Sequence, residues 1–142
     1  MSGTVSQVIG AVVDCQFPPE ETIPPIYSAL TVNVGKKVLT LEVQQHLEQG
    51  LVRAVAMGAT DGLMRGAEVV NTGASIQVPV GPVTLGRMFN VLGQPIDEKP
   101  APVTKHKSPI HRAAPAYDEL TTQAEIFETG VKVIDLVAPM LK

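Results

Sequence analysis

Between residues 4 and 80 the apolar residues come in short runs, several alternating strictly with polar ones. Each run is closed by glycine, proline or an Asp-Gly pair. Leu30, Val32 and Val34 alternate with Thr31 and Asn33. After the turn at Gly35-Lys36-Lys37, Leu39, Leu41 and Val43 alternate with Thr40, Glu42 and Gln44. A period of two with one apolar face is the signature of a half-buried strand, and two such runs around a short turn predict a hairpin. Leu51 to Met57, Val69-Val70 and Ile76-Val78-Val80 read as further strands. Val8 to Val13 reads as a single strand buried on both faces. Pro18, Pro19, Pro24 and Pro25 force an irregular loop, since each lacks an N–H and fixes its φ. About six short strands at near-regular spacing predict a small closed β-barrel over residues 1–80, because closure removes the exposed edges of an open sheet.

From Pro79 to Pro115 the chain holds seven prolines and its character changes. Leu85, Met88, Phe89 and Leu92 fall at helical spacing between Pro82 and Gly93, predicting one short helix. Gln94 to Ala116 reads as extended, proline-stiffened connection. A second helix is expected from Thr129, as N-cap, to Ala138, with Pro139 ending it. Two short helices without strands to pack on cannot bury enough apolar surface to offset their ordering. Residues 81–142 therefore read as a truncated domain.

Composition narrows the function. The chain has five aromatics and no Trp, so the core is expected to use Val, Ile, Leu, Ala and Met. The net charge of −3 belongs to residues 1–80, and residues 81–142 are neutral, so neither half is a basic platform for nucleic acid. Cys15 is the only cysteine, which excludes an intrachain disulfide; in a strand-like run it reads as a small buried hydrophobe. No apolar run approaches the ~20 residues of a membrane-spanning helix. The start Met1-Ser2-Gly3-Thr4 lacks the marks of a signal or transit peptide.

The search for chemistry returns little. A phosphate-binding loop needs a glycine five positions before a Gly-Lys pair. Gly35-Lys36 has Leu30 there and Lys37 after it, so the pattern fails. His46, His106 and His111 lack zinc spacing and read as solvent or linker histidines. Asp97-Glu98 reads as a solvated loop, and Glu128 is explained by the dipole of the helix it precedes. Arg87 and Arg112 are the candidates for a specific role, either as an ion pair or as a subunit contact, against plain exposure to solvent.

Several segments together resemble one family. Val8-Ile9-Gly10-Ala11-Val12-Val13-Asp14 is similar to the first barrel strand of ATP synthase beta subunits. Val52 to Met57 with Ala59-Thr60-Asp61-Gly62-Leu63 is similar to the central strand and turn of that barrel. Val78-Pro79-Val80-Gly81, Thr84-Leu85-Gly86-Arg87 and Asn90-Val91-Leu92-Gly93 resemble the lead-in to the nucleotide-binding domain. Ser108-Pro109-Ile110-His111-Arg112, Ala114-Pro115 and Phe127 to Asp135 resemble the run-up to its phosphate loop. Asn90-Val91-Leu92-Gly93 is closer to beta than to alpha subunits, which usually carry Asp-Ala-Leu-Gly. Val137 and Met140 depart from the family's more usual Leu and Tyr.

The resemblance implies a barrel that helps form the crown of an alternating hexameric ring with alpha subunits around a central stalk subunit, followed over residues 81–142 by the incomplete start of an α/β phosphate-loop nucleotide-binding domain. It implies an intact subunit that makes ATP from ADP and phosphate using a proton or sodium gradient, with Mg-ATP/ADP as its nucleotide. It implies residence at the cytoplasmic face of a bacterial membrane or the stromal side of a thylakoid, peripherally. The family's phosphate loop follows the position of Lys142, so no catalytic, nucleotide-binding or metal residue carries over, and this segment alone is expected to be inactive. The competing readings are a stand-alone barrel that recruits a partner, or a related alpha, vacuolar-type or secretion ATPase subunit.

Overall fold

The structure is a computed structural model that describes residues 2–19, 22–48, 50–120 and 125–141. They form two units, residues 1–112 and 113–142.

Six antiparallel strands, β1 (Ser2–Ile9), β2 (Val12–Gln16), β3 (Ser28–Val34), β4 (Lys37–His46), β5 (Leu51–Ala56) and β6 (Glu68–Ser75), close into a barrel. The order around it is β1-β2-β5-β4-β3-β6, with β6 pairing back onto β1. This is the mainly β, closed, six-stranded barrel that the alternation predicts. The register obeys the pattern: Leu30 faces Leu41 and Val32 faces Leu39 across β3 and β4, and all four point into the core.

Three expectations fail in the barrel. Ile76-Val78-Val80, read as its last strand, lies outside the closed sheet, which ends at Ser75; the sixth strand comes instead from the splitting of an apparent single strand. Val8 to Val13 is not one strand. Gly10 takes φ 60° and turns the chain, so Ile9 pairs with Val12 across a two-residue hairpin turn. Four β-branched residues around that glycine mimic a continuous run. The core is also not free of aromatics. Phe17 is its largest fully buried side chain, packed with Val5, Val13, Leu30, Leu41, Val43 and Val52, while Met64 lies exposed. The backbone makes room for this ring: a Cβ on Gly3 would lie 2.6 Å from the Gln16 carbonyl and 2.9 Å from the Phe17 ring.

Beyond the barrel, β7 (Gln77–Pro79) pairs antiparallel with β8 (Lys107–Pro109) as a separate two-stranded ribbon. The helix predicted between Pro82 and Gly93 does not form. Only a 3₁₀ turn, Pro82–Thr84, is present. Gly86 has φ 68°, outside any right-handed helix, and the Asn90 carboxamide oxygen accepts the N–H groups of Leu92 and Gln94, competing with helical bonds. Leu85 and Met88 are left exposed. Gly93 does adopt the left-handed conformation, at φ 73°.

The second unit contains a 3₁₀ turn (Tyr117–Glu119), β9 (Ile126–Phe127), α1 (Lys132–Val137) and β10 (Met140–Leu141), which pairs with β9. α1 starts later than predicted, with Val131 and not Thr129 at its N-cap. It ends at Val137 because Ala138, preceding Pro139, is driven out of helical geometry to φ −141°. No described helix is long and apolar enough to cross a membrane.

Candidate functional site

Three carboxylates organise the polar contacts of the first unit, each from a strand or loop the sequence placed without its partner. Asp14 lies on β2 opposite Arg53 of β5 in the ladder. The guanidinium donates both Nε and Nη2 to the carboxylate, at 2.8 and 2.9 Å. A planar fork matched to two oxygens is the strong form of this contact. The hydrogen bonds from Arg53 hold the Asp14 carboxyl below the usual carboxylate range, against the opposing effect of burial.

Arg87 and Asp97 form a second fork across the loop that contains Asn90 and Gly93. Nη2 also donates to the Pro100 carbonyl at 2.7 Å, and the guanidinium sits 5.9 Å from the centre of the Phe89 ring. The Asp97 side chain is only 8% exposed, so the solvated-loop reading of Asp97 fails. The Arg87 hydrogen bonds hold its carboxyl far below the usual range, helped by the Lys99 N–H. Arg87 thus spends its donors inside the chain. Arg112 is exposed and makes no hydrogen bond or ion pair with another described residue. The two candidate arginines lie in different settings and share no contact.

Glu42 is the third carboxylate. It sits on β4 between core residues Leu41 and Val43, yet it is buried as well. Its Oε1 accepts the Gln44 amide at 2.6 Å and its Oε2 lies 3.0 Å from His111 Nε2. The His111 ring stacks on Tyr27 with centroids 4.0 Å apart. His111 is therefore not a free linker histidine. His46 is also engaged, with Nε2 2.7 Å from the Pro24 carbonyl oxygen. Sequence carried no signal for these pairs, because Glu42 and His111 are 69 positions apart and Asp14 and Arg53 are 39 apart.

Within the second unit Asp135 accepts from the Thr129 hydroxyl at 2.6 Å and from the Thr129 and Gly130 N–H groups at 3.0 Å each. These bonds, the hydroxyl first, hold its carboxyl below the usual range and fix the turn that precedes α1. Cys15 is fully buried, and burial pushes its thiol up to about 12, so it is a packing residue and no nucleophile. Among the described residues no three His, Cys, Asp or Glu side chains converge as a metal site.

Among the described residues, both Arg–Asp forks are satisfied within the chain. Residues 5–73 match the family model described as ATP synthase alpha/beta family, beta-barrel domain. The match runs from β1 into β6, so what the closed barrel is similar to is the barrel domain of that family.

Proposed function

We propose that this chain is the N-terminal portion of a rotary ATP synthase beta subunit, and that its own role is assembly of the subunit ring. The observation that carries the reading is the family match over residues 5–73, on a chain that closes there into a six-stranded barrel. The resemblance of residues 78–93 and 108–135 to the lead-in of the nucleotide-binding domain supports a catalytic-type subunit over a free barrel module. Asn90-Val91-Leu92-Gly93 favours beta over alpha. In the intact subunit the activity would be ATP synthesis from ADP and phosphate, coupled to an ion gradient, with Mg-ATP/ADP as the bound nucleotide. Alpha subunits and the central stalk subunit are the proposed partners, and contact with the membrane would be through them. None of the residues described above is assigned to nucleotide or metal.

The exposed apolar side chains of the second unit fit the same reading. Phe127, Val133, Leu136 and Val137 are half or more exposed, and α1 buries none of its residues. Such surfaces belong under a protein partner. Native mass spectrometry of the chain co-expressed with alpha subunits, and separately with intact beta subunits, tests the proposal. The expected result is a complex with alpha and none with beta. Equal association with both, or with neither, contradicts it.

A further inference from the structure

The β7–β8 ribbon has three residues per strand, and a proline in each removes a donor. A two-stranded sheet of that size is marginal in water by itself. Beyond its own ladder, Ile110 N–H donates to the Ile76 carbonyl and Val80 N–H to the His106 carbonyl, both within the ribbon. Besides the chain itself, which runs from β6 into β7 through the buried Ile76, a side-chain tie to the barrel lies two residues past β8, at His111.

The tie is built from both sides. Glu42 is buried on a strand whose neighbouring residues face the core, and a buried carboxylate is costly unless each oxygen has a donor. Gln44 serves one oxygen and His111 meets the other. Tyr27 takes φ 68°, a conformation side chains rarely adopt. The backbone holds it there through Tyr27 N–H to the Val43 carbonyl at 2.7 Å. Such strain persists only where the surroundings impose it. Its consequence is a ring within 20° of parallel to His111. The second unit begins at Ala113, so His111 stands next to the last residue at which the first unit can hold the chain.

We infer that His111 is a latch: held between the Glu42 carboxylate and the Tyr27 ring, it fastens the β7–β8 ribbon to the barrel wall, and its release frees the ribbon while the barrel stays folded. The inference stands on this geometry alone and holds whatever the chain assembles with.

Hydrogen exchange on the 142-residue chain reads the latch directly, through the Val80 and Ile110 amides in the ribbon and the Val52 and Ala54 amides in β5. His111→Ala removes both contacts, and its partly exposed side chain makes it safe for folding. Val80 and Ile110 should then exchange about tenfold faster or more, as loss of a hydrogen bond to a charged group implies, with β5 unchanged. His111→Gln keeps a donor without the ring and His111→Phe keeps the ring without the donor, so each should restore part of the protection. Glu42→Gln tests the other side of the contact and should speed the same two amides. Unchanged exchange at Val80 and Ile110 in His111→Ala overturns the inference. So does an equal acceleration in β5, which would make His111 part of the barrel's global stability.

Discussion

Substituting Leu41 and Val38 separately probes the barrel's register. Both lie on β4, three residues apart and on opposite faces. Leu41 is fully buried, pairs with Leu30 on one side and Ala56 on the other, and packs in the central cluster. Leu41→Ala removes buried carbon from a site walled by two neighbouring strands, which can collapse only partly. The lost transfer energy and the residual cavity together cost about 3–4 kcal/mol. In a domain of this size each kcal/mol lowers Tm by roughly 4–8 °C, so the melting point should fall by about 12–30 °C. Val38, 63% exposed, loses little on truncation, about 0.5 kcal/mol or less. Thermal unfolding followed by circular dichroism, with urea titration as a second measure, gives both numbers. If Val38→Ala costs as much as Leu41→Ala, β4 is displaced by one residue and every inward side chain on it is misassigned.

Gly93→Ala should destabilise the first unit by about 1–3 kcal/mol, since its φ is 73° and the new Cβ would lie 2.5 Å from Pro79 Cδ. Gly35→Ala, with open space around it, should cost less in the same denaturant titration. Asp14, Asp97 and Asp135 all have folded-state carboxyls below their ordinary value, so their contribution is present above the unfolded value of about 3.9 and is lost as pH falls below it. Tm should drop below about pH 4, with a shallower drop in Asp14→Asn; a Tm that holds or rises toward pH 2 contradicts this. Cys15 should react with a thiol reagent only through unfolding, so labelling at mildly alkaline pH should accelerate in Leu41→Ala, and fast labelling of the native chain would show the thiol accessible. Limited proteolysis should cut first within residues 113–120, which are uniformly exposed, and later within 94–112, where the Arg87–Asp97 fork and the ribbon hold the chain.

The barrel was legible in the sequence because its information is local. A period of two between turn residues sets face, strand and hairpin together, as at Leu30 to Val43. Where local patterns mislead, one glycine decides. Gly10 splits an apparent single strand, and Gly86 breaks an apparent helical face. The polar nodes were not legible. Arg87 stood out as a candidate, but its partner Asp97 read as solvated, and nothing near Glu42 in the chain announces His111 or Tyr27. Partners brought together by barrel closure leave no spacing to read. Phe17 escaped for a related reason: it follows β2 at the start of a proline loop, and only the folded barrel shows that its ring fills the core.

The central claim is that this segment is an assembly piece with no nucleotide site of its own. Micromolar binding needs about −8 kcal/mol, and triphosphate recognition takes a cradle of backbone N–H groups with a lysine reaching the phosphates. The charged forks described above are already spent on internal partners. Isothermal titration of the chain with alpha subunits and, separately, with Mg-ATP measures both halves of the claim. Saturable heat with alpha subunits and none with Mg-ATP is the predicted result. Saturable micromolar binding of Mg-ATP without association to alpha subunits would contradict it.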